Sequence, residues 1–177
     1  MRLAAVTRQG RGATDRLLGA VADRLMRDGL RVLGALRPVR TQGGAGHCDS
    51  DLWLLPDGPL VRITQDLGPG SGACRMDAGA FEAAVGQVTA RLDAGRADLV
   101  VLGKFGLTEA EGRGFRTLIA AALGQGVPVL TGVPDTHRAA FERFAGGIAT
   151  DLRPDADAIL GWCRSAVAGD ATLTMET

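Results

Sequence analysis

The sequence predicts an α/β fold: a three-layer sandwich with a mainly parallel sheet, carrying one β-hairpin at its edge. Three observations predict it. Apolar runs of strand length alternate with stretches of helical periodicity almost throughout the 177 residues. The runs "LAAV", "LVVLG" and "VPVLTGV" are apolar without alternation, as strands covered on both faces are. Aromatic residues make up only 4% of the chain and Tyr is absent, so Leu, Val, Ile and Ala must build the core. A single domain over residues 1–168 is expected, with 169–177 as a loose tail.

The elements follow in order. "MRLAAVT" reads as a buried strand. From Thr14, Leu17, Leu18, Val21, Ala22, Leu25 and Met26 recur at helical spacing, and Gly29 stops the helix. "LRVLGALRPV" is a second strand that ends at Pro38, followed by the polar loop "RTQGGAGHCDSD". "DLWLLPDGPLVRIT" is the hairpin, with Asp57-Gly58 as its turn. "QDLGPGSGACRMD" is a second irregular loop, and Asp77 caps the helix "AGAFEAAVGQVTARLDAG". "ADLVVLG" is a buried parallel strand, "KFGLTEAEGRG" a loop, "FRTLIAAALGQG" a helix and "VPVLTGV" a strand. Pro134 and Asp135 open the helix "THRAAFERFAG", "GIATDLRPD" is a short strand or loop, and "ADAILGWCRSAVAG" is the last helix.

Composition removes several function classes. Twenty basic residues balance twenty acidic ones with no basic stripe, and aromatics are few, so no nucleic-acid partner is expected. No apolar run approaches a membrane span, the start lacks a secretory signal, and a cytoplasmic location is expected. Three cysteines, Cys48, Cys74 and Cys163, without CxxC spacing argue against a disulfide framework or a structural zinc site. Ala-rich helices are compatible with a homo-oligomer.

In a parallel sheet, the loops after the strands gather at the C-terminal edge, where ligands bind. The first of these, in "AAVTRQGRGATDRLL", has the shape of a phosphate-binding loop. The Walker A pattern is G-x-x-x-x-G-K-[S/T] at the start of a helix. With Gly12 at its second glycine, Thr7 stands at the first, Ala13 at the lysine and Thr14 at the hydroxyl. Gly10 and Gly12 let backbone N–H groups turn inward, and the helix start adds partial positive charge. Arg8 and Arg11 supply cations, although a guanidinium fork does not reproduce the missing lysine. The structural alternative is a plain strand–turn–helix connection with Thr14 or a neighbour as cap.

A nucleotide-hydrolysing site also needs an acid at the end of a central strand to hold magnesium. After "LVVLG" that position reads Gly103, and the next reads Lys104. Two carboxylates are missing and a lysine is gained, which suits an oxyanion held without coordinated Mg²⁺. Lys104 can equally be a solvated loop residue.

The layout resembles the small P-loop nucleoside triphosphatases. In combination, "RQGRGATDRLL", "HCDSDL", "RITQDLGPGSGACRMD" and "KFGLTEAEGRGFR" are similar to an uncharacterised bacterial domain family of unknown function. Some of its members are linked to molybdate uptake or molybdoenzyme genes. The resemblance implies a P-loop-like fold and a molybdenum context, and no particular reaction.

Three other segments carry candidate chemistry. In "HCDSD", His47, Cys48, Asp49 and Asp51 offer metal ligands, although adjacent residues of an extended chain point apart. The structural reading is a loop with Asp turn hydrogen bonds. In "RITQDLGPGSGACRMD" a Gly-rich loop lies between Arg62 and Arg75 and can close over an anion or simply return the hairpin to the next helix. In "EAEGRGFR", Arg113 is a further cation and Glu109 the one acid left for base catalysis, or both serve charge pairing at a helix start.

The sequence thus favours a non-hydrolysing protein that binds a nucleotide or a tetrahedral oxyanion of phosphate or molybdate type. The anion would meet Thr7, Arg8, Gly10, Arg11, Gly12, Ala13, Thr14 and Lys104, with Arg75, Glu109 and Arg113 behind them. The alternatives are a triphosphatase or phosphotransferase with rewired residues, and a metal-handling accessory protein working through residues 47–51. No cofactor is assigned.

Overall fold

The computed structural model describes residues 2–38, 51–65, 75–95 and 97–173. Strands β1 (Leu3–Val6), β2 (Val32–Leu36), β3 (Asp51–Leu55), β4 (Leu60–Arg62), β7 (Leu99–Lys104), β8 (Val129–Gly132) and β9 (Ala149–Leu152) form one sheet in the order β4-β3-β2-β7-β8-β1-β9. Five of these run parallel; β3 and β4 pair antiparallel at one edge, where the sequence places the hairpin. A separate two-stranded ribbon joins β5 (Thr64–Gln65) to β6 (Arg75–Met76).

Helices cover both faces. On one side, α1 (Ala13–Arg27) and α6 (Ala156–Leu173) pack over Ala4, Val6, Val32, Val101 and Leu130. On the other, α2 (Ala78–Ala94), α4 (Phe115–Gly124) and α5 (Arg138–Ala145) pack over Leu3, Ala5, Val100, Leu102 and Val129. Strand residues alternate between these two cores, as the two-residue period of a strand requires. Each run is apolar throughout because each face has its own layer of helices.

The ends of the helices follow the sequence signals. The Asp77 side chain accepts the Ala80 N–H and starts α2. Gly29, at φ +91°, closes α1 by donating to the Met26 carbonyl, and Leu30 N–H reaches Leu25 O. Arg91 of α2 ties down the hairpin, donating to Leu55 O and Gly58 O. α6 continues to Leu173, beyond Gly169 where the sequence reading ends it. Two differences from the expected elements stand out. A 3-10 turn, Asp135–His137, precedes α5. One helical turn, α3 (Leu107–Ala110), occupies the expected loop after β7. Cys163 is a free, buried thiol of the α1–α6 core, and burial pushes its pKa up to about 12.

β2 lies so close to β7 that position 34 admits only glycine. A Cβ on Gly34 would stand 1.8 Å from Val101 O, at a φ of +145°. Gly34→Ala is therefore expected to cost more than about 3 kcal/mol. In α1, by contrast, a Cβ on Gly19 meets nothing within 4 Å. Gly19→Ala should stabilise the chain by roughly 0.5–1 kcal/mol through helix propensity. Urea unfolding midpoints of the two variants at equal slope check both signs.

Candidate functional site

The first loop joins β1 to α1 at the C-terminal edge of the sheet. The hydroxyl of Thr7, at the place of the first glycine, donates to Val133 O and accepts from Arg138 Nη2 at 2.6 Å. Arg138 also pairs with Asp151, so Thr7 is a strut between β1, β8 and α5. The Gln9 amide donates to Asp135 Oδ2 at 2.7 Å, pinning the loop to the 3-10 turn. Gly10 (φ +101°) and Gly12 (φ +66°) take left-handed conformations that let the chain reverse into α1.

The helix start differs from the sequence alternative of Thr14 as a cap. Gly12 holds the cap position and Ala13, buried, is the first helical residue. The Thr14 hydroxyl turns back to the loop, accepting from Arg8 N at 3.1 Å and donating to Arg8 O at 3.2 Å. Ala13 N–H bonds to Gly10 O and Arg16 N–H to Gly12 O. Among the described residues, the N–H groups of Gly10, Arg11, Gly12, Thr14 and Asp15 donate to no backbone carbonyl of the loop. The side chains of Arg8 and Arg11 are exposed and have no hydrogen-bond or ion-pair partner among the described residues.

The end of β7 brings Lys104 to this helix start. Register with β8 runs from Leu102↔Thr131 to Lys104↔Gly132, so Gly103 is an extra residue, a β-bulge. Thr131 Oγ1 donates to Gly103 O at 2.9 Å and holds the bulge in place. Strict alternation would put Lys104 on the face of Leu102, away from α1. Past the bulge, its ammonium instead lies 3.8 Å from Asp15 Oδ2 of α1. The Lys104 side chain remains 40% exposed, whereas that of Asp15 is only 8% exposed. The other carboxylate oxygen, Asp15 Oδ1, is buried and has no hydrogen-bond partner among the described residues. A Cβ on Gly103 would stand 3.9 Å from it.

Sequence reasoning passed over Asp15. A signal was present: Asp15, Leu18, Ala22 and Leu25 share one helical stripe, and a carboxylate there must be buried. Arg138 was likewise missed, and no local pattern marks it, since its partners lie just after β1 and on β9.

On the far side of Lys104 a cavity of about 510 Å³ opens at the same sheet edge. Leu52, Ile63, Phe81 and Phe115 line its walls, and Arg37, Lys104 and His137 supply polar groups. Glu109 also borders it. Its Oε2 accepts Gly106 N–H at 2.7 Å and its Oε1 accepts Phe115 N–H at 3.0 Å. The carboxylate thus folds the turn of α3 and caps α4, and both oxygens are engaged. Glu82 caps the same junction by accepting Gly114 N–H at 2.9 Å. Arg113 pairs with Glu111 at 2.7 Å on the surface. Arg75 is exposed in β6, and its neighbour Met76 borders the cavity.

Asp51 opens β3 opposite Arg62. His47, Cys48 and Asp49 lie outside the described residues, as do Gly68–Cys74 of the Gly-rich loop. Among the described residues, no group of three or more His, Cys, Asp or Glu side chains could hold a metal ion. No described helix is long and apolar enough to cross a membrane.

Burial raises the Glu109 carboxyl above its ordinary value of 4.5, against the opposing pull of the Gly106 and Phe115 amides. The folded chain therefore holds that proton more tightly than the unfolded chain. Stability conferred by the group is full at low pH and falls as pH rises from 4.5 toward the raised value. Glu109→Gln removes this pH dependence but leaves one of the two N–H groups without its acceptor, at a cost of about 1–3 kcal/mol. The stability gap between wild type and variant should be widest in acid and narrow as pH rises. Denaturant titrations across that range check it.

Comparison with known proteins bears on the fold and the family. A human cancer-related nucleoside triphosphatase has a similar structure, with a TM-score of 0.66 at 18% identity, over 97% of this chain and 98% of that one. THEP1 from the hyperthermophile Aquifex aeolicus gives a TM-score of 0.59 at 20% identity, over 91% and 95%. At these identities the likeness is one of fold alone, the α/β fold that these two proteins share with this chain. A curated relative, the molybdenum import ATP-binding protein ModC 2 of Bradyrhizobium diazoefficiens, is 35% identical over 163 residues. That match takes in 92% of this chain but only 18% of the relative, which is far longer. Residues 3–162 match the family described as protein of unknown function (DUF2478), and the chain belongs to that family.

Proposed function

We propose that the chain binds an oxyanion at residues 7–14 and does not hydrolyse it, the ligand being a nucleotide phosphate or a free tetrahedral anion of phosphate or molybdate type. One observation carries the reading. Among the described residues, the loop presents backbone N–H groups that donate to no backbone carbonyl, at the start of a 15-residue helix and beside Arg8 and Arg11 guanidinium groups that have no partner there. Such N–H groups and the positive end of a helix stabilise an anion together.

The hydrolytic parts are replaced as a set. Gly103 stands where a strand acid would hold a metal, Ala13 where a lysine would reach the outer phosphates, and Glu109 has both oxygens on backbone amides. Glu109 is buried and both its oxygens are directed at the α3–α4 backbone. The names of the similar proteins support the nucleotide part of the reading alone: one is an ATP-binding protein of molybdenum import, and another is a nucleoside triphosphatase.

Isothermal titration with ATP, GTP, phosphate, sulfate and molybdate tests the reading. At least one should bind, and Arg8→Ala or Arg11→Ala should weaken it about tenfold, ~1.4 kcal/mol, the scale of one charge-assisted hydrogen bond. Phosphate release from ATP should not exceed the buffer blank. Silence with all five anions, or magnesium-dependent release above a Thr14→Ala control, overturns the proposal.

A further inference from the structure

The fold is one in which magnesium ordinarily accompanies the phosphates, so the residues that would hold it can be checked one by one. Mg²⁺ takes oxygen ligands in a near-octahedral shell, with a loop hydroxyl and a strand carboxylate supplied by proteins of this layout. Here the Thr14 hydroxyl is engaged on both sides by the Arg8 backbone. The strand position is Gly103. The one carboxylate at the helix start, Asp15, faces an ammonium 3.8 Å away. A single carboxylate beside a fixed positive charge does not fit a dication.

We propose that Lys104 is the resident cation of this site, held there by Asp15, and that the site takes a metal-free nucleotide. The inference rests on the oxyanion reading above and names its ligand class. The acid and the base of a hydrolysing site have exchanged elements. The lysine has moved from the loop to the end of β7, and the carboxylate from the end of β7 to the start of α1. The bulge at Gly103 makes the exchange work, because it turns Lys104 toward α1.

Asp15 is the positioning residue. A buried carboxylate oxygen without a donor is costly and calls for a partner, whether a water, an ion or a side chain that can reach it. Among the described residues, Oδ1 of Asp15 is such an atom, buried beside Gly103. Drawing the ammonium inward would satisfy it while Lys104 neutralises phosphate charge. The ligand is organic because Lys104 also borders the 510 Å³ cavity, a volume suited to a small-molecule body and wasted on a bare oxyanion.

Titration with ATP, in excess EDTA and again in excess magnesium chloride, tests the proposal. Wild type should bind ATP several-fold more tightly in EDTA than in magnesium, because excess magnesium converts most of the free nucleotide to its metal complex. Lys104→Ala should lose about tenfold in EDTA and regain most of it in magnesium, since Asp15 is then free to help hold the ion. The double variant Lys104→Ala/Asp15→Asn should lose the same amount and regain nothing. A merely structural role for Lys104 would not create magnesium dependence. Melting curves of both variants verify folding; Lys104→Ala leaves the buried Asp15 carboxylate without its counter-charge and should lower stability, whereas the double variant removes that charge and keeps the test open. Wild-type affinity that is no tighter in EDTA than in magnesium, or a Lys104→Ala variant that binds like wild type or is not rescued, overturns this proposal alone. Binding of molybdate but not ATP overturns it too, while leaving the oxyanion reading standing. Silence with every anion overturns both.

Discussion

β7 is the strand on which the rest of the molecule depends. It pairs with β2 on one side and β8 on the other, and its residues from Leu99 to Leu102 are buried on both faces. Its contact with β2 is so close that Gly34 has no room for a side chain over Val101 O. Two separate cores are organised around it, with Val101 in one and Val100 and Leu102 in the other. Close packing on both faces leaves no slack for the strand to slip, because a one-residue shift would exchange every side chain between the cores.

That rigidity is what gives a single extra residue its effect. The bulge at Gly103 comes where the strand leaves its ladder with β8, and it is held by Thr131 and by the Phe105 N–H bond to Gly132 O. It redirects Lys104 from the face of α2 and α4 to the start of α1. The sheet edge then carries two neighbouring environments that share this lysine: the glycine loop with its open amides, and the apolar cavity walled by Phe81 and Phe115. Both are braced by charged side chains whose work is structural. Arg138 holds Thr7, and Glu109 holds the turn of α3 and the start of α4.

The division of labour among the acids follows from backbone demand. Two N–H groups at the α3–α4 junction have no carbonyl in reach, and Glu109 serves both. Residues read as candidates for chemistry on grounds of charge alone, Glu109 and Arg113, turn out to be engaged by amides and by Glu111. The acid that does face the loop, Asp15, sits where the helical pattern leads one to expect an apolar side chain.

Much of the frame was legible in the sequence. The uniform apolar runs announced strands covered on both faces, Asp77 announced the start of α2, Gly29 the end of α1, and Pro-Asp-Gly the edge hairpin, because each is a local preference of the backbone. The loop between β1 and α1 was legible for the same reason: Gly10 and Gly12 permit the left-handed turns it needs. What only the tertiary structure decided were the partnerships between distant segments. Thr14 bonds to Arg8 and not to its own helix, Thr7 is engaged from α5, and Lys104 meets Asp15. Register is the physical reason. Which way a side chain points at the end of a strand flips with one residue, and the pairing of β7 with β8 sets that count, beyond the reach of any pattern within β7 itself.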